Sequence, residues 1–239
     1  MKTSRITVLI LGIGAFLIAC VPNFQSSTQA TEDSDGWVSL FNGKDLTGWK
    51  IHPNPSGKMK SKAQEKEGKV VAFVGVNPDG KEEMLWHVEN GMLIGSGHAS
   101  HLFSKRGDYT NFHYKVEAKI NDHGNSGQYF RTQYGPGFPR GYEAQINATH
   151  GDKIRTGSLY LPNIKEVLVL NTAPHKADEF FTQEVIADGN HIQIIVNGKT
   201  TVDWKDPENR YKSGHFALQG HDPGTKVTFK SIMVKEIKK

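Results

Sequence analysis

The stretch "FHYKVEAKI", Phe112–Ile120, alternates without a break. Phe112, Tyr114, Val116, Ala118 and Ile120 fall on one side of an extended chain, and His113, Lys115, Glu117 and Lys119 on the other. A period of two with one apolar side predicts an antiparallel strand packed on one face. Working outward, the same rhythm returns in "WVSLF", "MLWHV", "GMLIG", "HIQIIVNG" and "KVTFKSIMVKEI". Between these runs, "ENG" at Glu89–Gly91, "DGN" at Asp188–Asn190 and "NGK" at Asn197–Lys199 carry the glycine chemistry of tight hairpins. No stretch reads as a helix longer than a turn or two, and no fixed-period repeat is visible. The expectation is an all-β domain, a sandwich or jelly roll of antiparallel sheets.

A chain of 239 residues suits one such domain and can bury a substantial core. Its net charge of +4 is spread out, and the Lys60–Lys69 run "KSKAQEKEGK" mixes both signs, so no nucleic-acid footprint is present. Residues 1–35 read as targeting and tether rather than fold. Lys2 and Arg5 precede the apolar run Val8–Ala19, and "LIAC" then places the single cysteine, Cys20. That ending resembles a bacterial lipobox, whose cysteine becomes the lipidated first residue; the plainer alternative is a secretory signal cut after Ala30. Either reading predicts export to the bacterial cell envelope, with a membrane lipid anchor on the first, and leaves the folded domain, 36–239, without a disulfide. His52–Glu83 interrupts the rhythm with Pro, Gly and charges around "KVVAFVGV", and reads as an inserted hairpin or long loop, either solvated or walling a cleft.

The stretch "GNSGQYFRTQYGPGFPRGYEAQIN", Gly124–Asn147, carries an unusual polar set. If Tyr142, Ala144 and Ile146 pack inward, then Glu143, Gln145 and Asn147 face the other way, and Tyr129 shares a face with Arg131. Arg131 beside Glu143 on a neighbouring strand would orient the carboxylate and offer donors to sugar hydroxyls. The plainer alternative is a solvent-facing ion pair worth a few tenths of a kcal/mol. His221 in "LQGHDPG", followed by Asp222, sits at a strand end, where a histidine can act as acid or base. His123 and Asp122 lie in the loop before "NSG", Asn125 begins a tight turn, Tyr160 ends "TGSLY", and the Gly/Pro-rich Gln133–Tyr142 segment shapes a cleft entrance. His98 and His101 have an i, i+3 spacing that on a strand sends them to opposite sides, a poor metal pair.

Six of these segments carry a resemblance: "LFNGKDLTGW", "WHVENGMLIG", "GNSGQYFR", "GYEAQI", "TGSLY" and "GHFALQGHDPGTKVTFKSIMVKEI". In this order they are similar to the 3-keto-disaccharide hydrolase family, from about Gly36 to the C-terminus. The resemblance implies a concanavalin-like jelly roll, with a carbohydrate cleft on the concave sheet and action on sugars oxidised at carbon 3. A carbonyl at carbon 3 acidifies the hydrogen on carbon 2, so a base there lets the carbon 1 substituent leave by elimination. Conventional hydrolysis needs two carboxylates about 5 to 9 Å apart. The sequence offers one strong candidate, Glu143, and lacks the E-x-D-x-x-E strand motif. The expected catalytic set is therefore Glu143, His221 and Arg131, with Gln145, Asn125, Tyr160, His123 and Asn147 binding substrate. No cofactor is required, while a divalent metal held by Glu143 and a histidine would stabilise an enediolate. A non-catalytic cell-surface carbohydrate-binding module is the competing reading.

Overall fold

The computed structural model describes residues 33–53, 58–161, 168–170 and 172–238, and among them there is no helix. Cys20 and the targeting segment lie outside the described residues. The strands are β1 (Val38–Ser39), β2 (Trp49–Ile51), β3 (Lys60–Lys66), β4 (Lys69–Val76), β5 (Glu82–Glu89), β6 (Met92–Gly95), β7 (Ser100–Ser104) and β8 (Phe112–Ile120). After them come β9 (Ser126–Thr132), β10 (Tyr142–Ile146), β11 (Leu159–Tyr160), β12 (Phe181–Asp188), β13 (His191–Val196), β14 (Lys199–Lys205), β15 (His215–Gly220) and β16 (Val227–Glu236). A ten-stranded sheet runs β14-β13-β12-β8-β16-β6-β5-β4-β3, with β1 added beside β16, and a six-stranded sheet runs β11-β10-β9-β15-β7-β2. Both are antiparallel, and the protein is a concanavalin-like jelly-roll sandwich.

The alternation of β8 becomes its burial pattern: Phe112, Tyr114, Val116, Ala118 and Ile120 are fully buried and the residues between them are not. Their partners across the sandwich are Phe130, Tyr142, Ala144, Ile146, Phe216 and Leu218 of the smaller sheet. Tyr114 stacks on Phe216 with ring centroids 4.0 Å apart, which ties the centres of the two sheets together. Two hairpin turns read from sequence take the left-handed backbone that a two-residue loop demands. Asn90 and Gly91 have φ of 51° and 75°, and Asn197 and Gly198 have 49° and 76°. The His52–Glu83 interruption folds as the β3–β4 hairpin, which pairs onto β5 and lengthens the larger sheet.

Strict alternation fails at one place that matters. On β15 the register steps from His215 opposite Thr132 to Ala217 opposite Tyr129, so Phe216 alone faces both Phe130 and Arg131. This is a β-bulge, and Arg131 sits in it with φ of 49°. The extra residue turns Arg131 away from the face of Tyr129 and into the interior, where it is 1% exposed. Its Nε and Nη2 donate to the Thr110 carbonyl at 2.9 and 2.6 Å, and Nη1 donates to Gly189 O at 2.6 Å and Tyr211 O at 3.2 Å. The guanidinium lies 5.8 Å from the Phe112 ring centroid. The expected pairing of Arg131 with Glu143 is therefore corrected: Arg131 clamps loop carbonyls on the core side.

Candidate active site

The site grows from one cross-strand row. On the face of the six-stranded sheet turned away from the core, Phe103, Ala217, Tyr129, Glu143 and Tyr160 stand opposite one another in sequence across β7, β15, β9, β10 and β11. Beside it, His101 opposes Gln219, and Gln145 opposes Gly127. Every residue of β10 is buried, on both faces, because this outer face is covered as well as the inner one. Glu143 leans over Gly127: a Cβ there would lie 2.0 Å from Glu143 Oε1, so only glycine leaves room for the carboxyl group.

Burial pushes Glu143 up to about 8, with the negative charge of Asp152 adding to the effect and the Tyr129 hydroxyl, which hydrogen-bonds it, pulling the other way. At neutral pH the group is a carboxylic acid. Tyr129 is itself held by Gln219, whose Nε2 donates to the tyrosine oxygen at 3.1 Å. With its nitrogen turned toward the carboxyl, Gln145 donates to Glu143 Oε1 at 3.0 Å. Asn125, Glu143, Gln145, Tyr160, Gln219 and His221 line a cavity of about 230 Å³.

His221 brings a second titratable pair to this cavity. Its Nδ1 lies 2.9 Å from Asp222 Oδ2, and His150 Nε2 lies 3.4 Å from the same oxygen. Burial tends to raise the Asp222 pKa, but hydrogen bonds from His221 and from Gly224 N more than offset it, leaving the group a carboxylate. An acceptor at Nδ1 puts the proton of neutral His221 there, so Nε2 keeps its lone pair. Donor atoms of His150, His221 and Asp222 lie within 4.8 Å of one another, a spacing a metal ion could use. However, the Asp152 amide donates to His150 Nδ1 at 3.0 Å, which leaves the His150 proton on Nε2, facing Asp222. The trio is thus satisfied as a hydrogen-bond relay, and Glu143 is not part of it.

Of the residues expected from sequence, Glu143, Gln145, Asn125, Tyr160 and His221 come together here. Three others do not. Arg131 is inside, as described. Asn147 spends its side chain on the following loop, donating to Asp152 O and Ile154 O at 2.9 and 2.8 Å and accepting from His150 N and Arg155 Nη1. His123 is a solvent-exposed loop residue, with Nε2 3.5 Å from Asp122 and φ of 58°. His98 and His101 do part company: His98 Nδ1 binds Glu83 at 2.5 Å, while His101 is on the face of the site. Sequence reasoning missed Tyr129 and Gln219, and reached Phe138 only through the Gly/Pro segment expected to shape the cleft entrance. The first two could have been found by extending the alternation of "QYF" and "FALQG" to the Glu143 face. Phe138 sits in the Gly/Pro segment, which His52 Nε2 tethers through Gly137 O at 2.8 Å.

A family model described as 3-keto-alpha-glucoside-1,2-lyase-like domain matches residues 36–235. Among solved structures, a "putative glycosyl hydrolase" from Parabacteroides distasonis ATCC 8503 is similar at a TM-score of 0.60 and 23% identity, over 87% of this chain and 96% of that one. A carbohydrate binding module from Bacillus subtilis is similar at 0.51 and 16% identity, over 79% and 96%. A pseudo beta-1,3-glucanase of Mycobacterium tuberculosis reaches 0.53 at 9% identity, over 84% and 98%. At such identities the likeness is one of fold. No curated protein sequence matches.

Proposed function

Since this chain belongs to the 3-keto-alpha-glucoside-1,2-lyase-like domain family, we propose that it cleaves 3-keto-glycosides by elimination across carbons 1 and 2. The observation that carries this reading is the pairing, in one cavity, of a carboxyl held protonated at neutral pH with a histidine whose outer nitrogen is left basic. His221 Nε2 removes the acidified hydrogen from carbon 2. The electron pair moves into a carbon 1–carbon 2 double bond, the bond from carbon 1 to the leaving oxygen breaks, and Glu143 gives that oxygen its proton. Asp222 steadies the imidazolium that forms, and Asn125 and Gln145 hold hydroxyls of the ring. Water then adds across the double bond. A binding module needs amides and aromatic rings but no buried acid, and keeping one costs stability.

The reading is tested in deuterium oxide with a 3-keto-α-glucoside. Elimination followed by hydration places deuterium on carbon 2 of the released sugar, read by NMR. A product without deuterium there would point to direct displacement at carbon 1. The pH profile is a second check. Glu143 must carry its proton to act as the acid, so kcat/KM falls as pH rises through about 8. That alkaline limb disappears when Glu143 is replaced by a group that does not titrate.

Export and anchoring belong to the same proposal. A lipidated Cys20 places the enzyme at the cell envelope, and Cys20→Ser is expected to move the protein from the membrane to the soluble fraction. Unchanged partitioning into detergent would remove the anchor.

A further inference from the structure

On the sheet face that carries Glu143, two buried polar atoms have no hydrogen-bond partner among the described residues: His101 Nε2 and Gln219 Oε1. Their residues are only 7% and 3% exposed, and they stand directly opposite each other on β7 and β15. Side chains paired in this way are close enough for one small molecule to bridge them. Buried polar atoms are nearly always satisfied, and where several converge a water commonly serves. Gln219 Oε1 can only accept. Burial, with His52 and His221 adding to it, holds His101 down to about 3, so its ring is neutral and Nε2 is free to donate.

The same line leads to the acid. The ladder that sets Ala217 against Tyr129 and Leu218 against Gln128 brings Gln219 beside Gly127 at its next step, and there Ser126 Oγ donates to Gln219 O at 2.7 Å. Gly127 has no side chain, and the Glu143 carboxyl fills the space above it. Across the face, therefore, come His101, Gln219 and then the carboxyl group. A cavity of about 340 Å³, lined by His101, Gln219 and His221 and by no carboxylate, adjoins the one that Glu143 lines. Once elimination has left a proton on His221, Glu143 is the base available to a water held between His101 and Gln219.

We propose that His101 and Gln219 position the water that adds to carbon 1, so that this chain hydrates its own unsaturated product instead of releasing it. The proposal rests on the elimination reading. Elimination leaves Glu143 a carboxylate, His221 an imidazolium, and a carbon 1–carbon 2 double bond conjugated with the carbonyl at carbon 3. The water takes a hydrogen bond from His101 Nε2 and gives one to Gln219 Oε1. Its remaining lone pair forms the bond to carbon 1 while its other proton passes to Glu143. The electrons of the double bond move through carbon 2 onto the carbonyl oxygen, and return as carbon 2 takes the proton from His221. Both groups then stand in the protonation states from which cleavage starts. Gln219 serves the acid as well, because its nitrogen holds the tyrosine that hydrogen-bonds Glu143.

The test compares the wild type with His101→Phe, which keeps a ring against Tyr129 and Phe138 but removes its polar atoms. A 3-keto-α-glucoside reports release of the leaving group, and the isolated 1,2-unsaturated 3-keto sugar reports hydration above its rate in buffer. Hydration is expected to fall by about tenfold or more beyond any loss in release. From the glycoside, the variant should accumulate the unsaturated sugar, seen by NMR through its olefinic proton on carbon 1. His101→Gln, whose amide returns a donor and an acceptor at similar reach, recovers part of the hydration. An equal loss in both steps, no loss in either, or a wild type that hydrates no faster than buffer overturns the proposal; the elimination reading survives each of these if deuterium still enters carbon 2 or the unsaturated sugar is formed. If the wild type releases no leaving group, or releases it with neither of those signs, the elimination reading falls and takes this proposal with it. Should His101→Phe fail to fold, His101→Leu is read in the same two assays, with the same expected and overturning outcomes.

Discussion

Replacing Glu143 with glutamine is expected to lower kcat on a 3-keto-α-glucoside by about a hundredfold to ten-thousandfold, the range for loss of a general acid. KM should change little, because the amide keeps the shape of the side chain and can still hydrogen-bond Tyr129 and Gln145. The substitution has a second effect that an exposed carboxylate of ordinary pKa would not show. A carboxyl whose folded pKa is about 8 holds its proton when the unfolded chain has lost it, so stability falls as pH rises from the ordinary glutamate range toward 8. Glu143→Gln removes that loss. The variant should therefore melt several degrees above the wild type at pH 8 and at nearly the same temperature at pH 4, by calorimetry. The alkaline gain in stability identifies Glu143 as a carboxyl buried in its protonated form, and the loss of rate in the same variant identifies it as the acid. A normal rate in a folded variant would move the chemistry away from β10.

Arg131→Met is expected to act in the opposite sense: large on stability, small on chemistry. Removing the buried guanidinium strips three partly buried carbonyls, of Thr110, Gly189 and Tyr211, of their donor. Each unpaired acceptor costs on the order of 1 to 3 kcal/mol, reduced where loops relax toward water. A net loss of about 3 kcal/mol, or about 10 °C in Tm for a domain of this size, follows. Turnover per folded molecule should stay within a few-fold of the wild type. A collapse of kcat with Tm unchanged would return Arg131 to the cleft.

These two outcomes mark where the sequence was legible and where it was not. Alternation in "FHYKVEAKI" and "YEAQI" correctly assigns each residue to a face, since side chains must alternate wherever the ladder is regular. The same rule applied to "QYFR" fails after Phe130, because a single extra residue reverses the facing of everything beyond it. Nothing local distinguishes Arg131 as the residue in the bulge: it is neither glycine nor asparagine, and the cause lies on the opposing strand, where Gly214 packs against the Arg131 backbone. Asn147 fails for a different reason. It stands just beyond the end of β10, where alternation no longer governs and the following loop claims all its hydrogen-bonding capacity. Tyr129 and Gln219 were legible but overlooked, since a buried tyrosine and glutamine look like core until the partner strand is known.

The strand order carries a consequence for how the molecule comes into being. β15 lies between β9 and β7 in one sheet, and β16 lies between β8 and β6 in the other. Both come after every other strand of their sheets among the described residues, and each completes its sheet from the middle. Until they arrive, each sheet is two separate pieces with open edges, and the row running through Ala217 cannot form. Such long-range closure makes for a slow folder, because loop entropy is lost before the contacts that compensate it are made. A chain synthesised from its N-terminus therefore keeps both sheets unfinished until β15 and β16 emerge, with unpaired strands in need of protection from one another.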